Sequence, residues 1–122
     1  MKFITMVEAV EGKYGEPPPA LYDAIMKLGE EAAEAGVFVS MGGLKDTKDG
    51  AALTLADGKI EVIDGPYAES KEVVGGWAIY DVKDKAEAVK WARKFLELHI
   101  KHMPEFACTV EVRALMDGSA AP

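Results

Sequence analysis

Apolar residues in this chain recur with two different periods, and the places where the period changes mark its elements. From Lys2 to Val10 (KFITMVEAV) they are almost continuous, which predicts an inner strand buried on both faces. Gly12, Gly15 and Pro17-Pro18-Pro19 stop that strand, and Pro19 suits the first turn of a helix. From Ala20 to Ala35, Leu21, Ile25, Leu28 and Ala32 keep helical spacing, with Glu30, Glu31 and Glu34 off the stripe. Gly36 supplies the left-handed cap that ends such a helix. Val37 to Met41 reads as a second strand halted by Gly42-Gly43, and Lys45 to Gly50 as a polar loop. Met6, Met26 and Met41 suit core positions better than a haem or copper site.

The period then becomes two. Leu53 and Leu55 alternate with Thr54, and Ile60 and Val62 with Glu61; Asp57-Gly58 between them predicts a two-residue hairpin turn. A further strand is expected from Gly76 to Val82, with Trp77 and Ile79 on one face and Ala78 and Tyr80 on the other. Asp84, with Glu87 three residues on, forms a capping pair for a second helix. Val89, Ala92 and Leu96 make one apolar row of that helix, and Ala88, Trp91, Phe95 and Leu98 the next. Val110, Val112 and Ala114 alternate with Glu111 and Arg113 in a last strand.

The order strand, helix, strand, hairpin, strand, helix, strand predicts an α+β fold: a ferredoxin-like split β-α-β antiparallel sheet with an inserted β-hairpin. Residues 1–116 are expected to form one domain and residues 117–122 a frayed tail. Two helices cover one face of such a sheet, so a homodimer packing sheet against sheet is the expected cover for the other.

Charge narrows the class. Fourteen basic against 21 acidic residues leave a net −7, which repels phosphate backbones and anionic headgroups, so direct nucleic-acid and membrane partners are not expected. One cysteine, Cys108, excludes an internal disulfide, and its apolar neighbours suit a small buried hydrophobe. The opening MKFITMVEAVEG has too short an apolar run for a signal peptide, and no stretch approaches transmembrane length; a cytoplasmic location is the expectation. His99 and His102 sit near the negative end of the second helix without a matching carboxylate motif, so no metal and no cofactor is expected.

Candidate chemistry concentrates in VIDGPYAESKEVVGGWAIYDV, Val62 to Val82. Asp64 precedes Gly-Pro, where fixed backbone limits its direction; it either locks the turn or serves as a general base. Lys71 lies between Glu69 and Glu72, as a solvated charge cluster or as the polar rim of a cavity. Tyr67 and Trp77 are packing groups or ligand-stacking walls. Arg113 is a surface charge or a guanidinium facing the dimer space, able to hold a carboxylate through two bonds.

Asp64, Gly65, Pro66, Tyr67, Glu69, Ser70, Lys71, Glu72, Gly76 and Trp77 together follow a D-G-P-[FY]-x-E-[ST]-K-E-x-x-x-G-[FYW] signature. In this the chain resembles the DGPF group of the YCII-related family, and the upstream hairpin, the Ala- and Trp-rich helix and the closing V-E-V-R match in order. The resemblance implies a dimeric α/β barrel, similar to small monooxygenases and muconolactone-isomerase-type proteins, in a group of undefined activity with some members joined to or encoded beside alternative sigma factors. The wider family's acid/base pair, a His on the first helix and an Asp near its end, has no counterpart: Ala20–Ala35 holds no His, and Glu34 is the acid nearest the second position. The expectation is therefore a protein that binds a small organic molecule, with cofactor-independent acid/base chemistry assigned to Asp64, Glu72 and Lys71 and ligand contacts to Tyr67, Glu69, Trp77 and Arg113. The alternative is a non-catalytic dimeric regulatory or interaction module.

Overall fold

The computed structural model describes residues 1–67 and 71–117. Glu69 and residues 118–122 of the expected tail lie outside the described residues. Strand β1 (Lys2–Val10) is followed by helix α1 (Pro19–Glu34), strand β2 (Phe38–Gly43) and a 3-10 turn at Thr47–Asp49. The hairpin strands β3 (Ala51–Ala56) and β4 (Lys59–Asp64) come next, then β5 (Glu72–Asp81), α2 (Lys85–His102) and β6 (Thr109–Ala114). Four strands form one antiparallel sheet in the order β2-β5-β1-β6, and β3-β4 form a separate two-stranded ribbon. This is the expected α+β, ferredoxin-like arrangement with its inserted hairpin.

Each helix is bounded by chemistry visible in the sequence. Pro19 sits in the first turn of α1, where its missing N–H costs no hydrogen bond. At the other end Gly36 takes φ +77°, so its N–H reaches Ala33 O and that of Val37 reaches Ala32 O, both at 3.0 Å. That pair of bonds is a Schellman ending. Helix α2 starts at Asp84, whose Oδ1 accepts from the Glu87 N–H at 3.0 Å.

The core lies between the helices and one sheet face. Phe3, Val37, Tyr80 and Val82 bury against Leu28, Ala32, Ala88 and Trp91, and Tyr80 stacks on Trp91 at 5.7 Å. Lys94 reaches across from α2 to Glu31 of α1 at 2.6 Å while lying over the Trp91 ring. The loop after β1 is held to the end of α2 by aromatic contacts of Tyr14 with Phe106 and of Phe106 with His99, and the Ala107 N–H donates to the Tyr14 hydroxyl.

Several expectations shift. Gly42 and Gly43 continue β2 rather than stop it, and β5 begins at Glu72, so Gly75-Gly76 lies inside the strand. There Val7 pairs with Gly76 but Glu8 with Val74, which makes Gly75 the extra residue of a β-bulge, and its carbonyl accepts from Leu44 N at 2.9 Å. Met26 and Val89 are exposed, at the margins of their helical stripes. No helix among the described residues is long and apolar enough to cross a membrane.

Candidate functional site

Alternation divides the sheet residues between two faces. With Phe3, Thr5, Ala78 and Tyr80 turned to the helices, Ile4, Met6, Glu8, Trp77 and Ile79 of the central strands take the opposite face. Neighbouring register adds Ser40 and Gly42 from β2, and Glu111 and Arg113 from β6, which pair with Met6 and Ile4. The floor of this face is therefore apolar, and its β6 edge is charged. The six-membered ring of the Trp77 indole lies against Gly42 so closely that a Cβ there would come within 2.4 Å of it. Glycine is thus required beneath the tryptophan, and the contact fixes where the ring stands.

The face is less bare than an uncovered sheet would suggest. Ile4, Met6 and Trp77 are half-buried, and Ile79 is 6 % exposed.

The signature segment meets this face only in part. Trp77 and Arg113 share it by register. Glu72, opposite Val10 at the start of β5, falls on the same side of the strand pair, toward the end that carries Glu8. Lys71 precedes it and is exposed. Asp64 closes β4, where its backbone pairs with Ala51 and its side chain is exposed. Tyr67 is also exposed, with its hydroxyl beside Gly50. Among the described residues, ion pairs join only Met1 to Asp81 and Glu31 to Lys94, so Asp64, Lys71, Glu72 and Arg113 are held by no salt bridge.

What the turn does hold is the root of the hairpin. Gly65 N–H donates to Gly50 O at 2.9 Å, and a Cβ on Gly65 would fall 1.5 Å from the Thr47 carbonyl oxygen. The peptide from Gly65 to Pro66 is cis. Thr47 in turn gives both its N–H and its hydroxyl to the Glu11 carboxylate, each at 2.5 Å. Those two bonds, the hydroxyl's above all, hold the Glu11 pKa below its ordinary value. No local signal in the sequence announces this clamp, because its halves lie 36 residues apart.

Cys108 is half-buried, and burial pushes its thiol pKa up, with the nearby Glu72 carboxylate adding to the effect. A thiol held protonated at neutral pH is a poor nucleophile. His99 is buried between Phe95 and Phe106, its Nδ1 at 3.0 Å from Phe95 O, and no group of three metal-ligating side chains occurs among the described residues. A groove of about 560 Å³ does run between α1 and α2, lined by Lys27, Glu31, Lys94, Glu97 and Lys101 among others. It lies on the helical side, away from Trp77 and the signature charges.

A sequence model of the YCII-related domain matches residues 1–95. A comparison with curated proteins gives no match.

Proposed function

The chain belongs to the YCII-related family, and from that membership we propose that two copies oppose their open sheet faces and enclose a pocket for a small organic acid or carbonyl compound. The supporting observation is the placement of Trp77: an aromatic wall held over Gly42, above an apolar floor of Ile4 and Met6, with Arg113 on the same face. Aromatic and aliphatic lining with a few charged groups is what small-molecule pockets are built from. Arg113, which makes no salt bridge among the described residues, carries a guanidinium able to take a carboxylate through two parallel bonds.

The chemistry assigned to this pocket is proton transfer without a cofactor. Glu72 is the better placed base, since register brings it to the pocket side of β5, with Asp64 the second candidate at the hairpin root. Lys71 or Arg113 steadies the developing anion, and Tyr67 extends the wall. Glu69 belongs to the same signature and is proposed at the rim on that ground alone.

The test combines binding and turnover. Pyruvate, acetoacetate and benzoate are titrated while tryptophan emission is followed, with Trp77→Phe and Arg113→Ala as partners. Saturable quenching is expected, lost in Trp77→Phe and weakened roughly tenfold in Arg113→Ala. Solvent deuterium exchange at the carbon beside the ketone should fall about 100-fold in Glu72→Gln. Binding without exchange points to the non-catalytic module and removes the acid/base assignment. Emission that no probe perturbs, or that responds equally in both variants, removes the pocket.

A further inference from the structure

Four of the exposed large apolar side chains among the described residues stand together, and they lie on the hairpin and not on the sheet. Leu53 pairs with Val62 and Leu55 with Ile60, which puts all four on one side of the β3-β4 ribbon. They are 66 %, 60 %, 74 % and 70 % exposed, in that order. Thr54 and Glu61 pair on the other side. No other element packs broadly against the ribbon, which projects from a root clamped by Glu11, Thr47, Gly50 and Gly65.

Such a surface has a cost. A two-stranded hairpin with nothing against it is marginal in water, and four large aliphatic side chains make a patch on the order of several hundred Å², as large as a monomer carries. The root is rigidly placed while the apolar strip it presents is left wet, and that combination is intelligible only if something dry covers the strip.

We infer that the hairpin is an exchange arm: the Leu53, Leu55, Ile60 and Val62 strip of each chain closes over the open sheet face of a second copy. The pocket on each sheet is then walled by both chains and is incomplete in one. This inference rests on the dimeric reading above and adds to it which surface does the holding.

Two arguments single out a second copy as the occupant. The first is area. A stable interface takes about 800 Å² from each partner, and the sheet floor offers little, with Ile79 already 6 % exposed and its neighbours half-buried. The arm supplies the exposed apolar area that the floor lacks. The second is charge. Two copies each carrying −7 repel, but the hairpin strip itself carries no charge, so laying it on the Ile4, Met6, Trp77, Ile79 floor brings no like charge up to the Glu8 and Glu111 that share that face.

The experiment measures self-association and the environment of position 55. Leu55→Glu with Ile60→Glu alters side chains that make little of the fold, so circular dichroism should be unchanged while the dimer dissociation constant rises at least 100-fold. Thr54→Glu, on the polar side of the arm, should leave association unaltered. Where the double variant does not fold, Leu55→Cys in a Cys108→Ala background, carrying an environment-sensitive dye, replaces it. Its emission should be blue-shifted when associated and move to the red on dilution. A wild-type chain that stays monomeric at every concentration defeats the dimeric reading itself. A wild-type dimer whose association is untouched by the double variant, or whose dye reports water throughout, defeats the arm alone and leaves that reading standing.

Discussion

At the scale of single residues, the clearest dependency is the clamp between Glu11 and Thr47. Its carboxylate accepts two bonds in the folded chain and none of them in the unfolded one, so the folded pKa is the lower. The unfolded chain then binds more protons across that interval. The clamp's contribution is complete above the ordinary glutamate range, about 4.3, and is lost as pH falls through the lowered native value. Thermal melts of the wild type and Glu11→Gln should therefore differ most near neutral pH and converge in acid; a gap that stays constant or widens toward low pH contradicts the assignment. Of this neighbourhood the sequence announces only the turn. Asp64-Gly65-Pro66 declares constrained backbone, but Gly65 is needed because its Cα presses on the Thr47 carbonyl, and that neighbour is 18 positions back along the chain with nothing to mark it. The signature charges show the same limit from the other side: crowded in sequence, they form no ion pairs among the described residues.

Elements were far more legible, because helices and strands are dictated by local periods and local caps. The Asp84 cap is an instance that can be measured. Removing its acceptor in Asp84→Ala leaves the Glu87 N–H without a partner and should cost about 1 kcal/mol in urea unfolding at fixed protein concentration, with the slope unchanged. Asp84→Asn, which keeps an acceptor oxygen, should lose only a small part of that. If Asn and Ala are equally destabilising, the cap is not what the side chain contributes. Boundaries failed where glycine serves packing instead of stopping a strand. Gly42 lies under Trp77 and Gly75 forms the bulge, so the first glycine pair reads as a strand's stop and the second as a strand's start although each lies within a strand. Met26 and Val89 are exposed because a helical stripe is narrower than the set of apolar residues near it. The hairpin was legible as a hairpin, but alternation that normally marks a half-buried ribbon here marks one that its own chain leaves open.

For the whole molecule, element order is enough to predict the ferredoxin-like sheet with one face free of helices, and the structure orders it β2-β5-β1-β6 with β1 and β5 at the centre. The site was not legible to the same depth. Its floor comes from β1, β2, β5 and β6, whose residues approach one another only after folding, and the proposed cover comes from a second chain. Within the signature Trp77 stands out, whereas nothing in the sequence marks Gly42 as the residue beneath its ring or Met6 as its partner across the strands. The apolar surface left on the hairpin is what the proposed pairing of two chains would cover. Sedimentation equilibrium of the wild-type chain at micromolar concentration tests this most directly. The expected result is a species of twice the chain mass that dissociates on dilution; a single, stably folded chain at every concentration, with Leu55 and Ile60 bare to water, contradicts it.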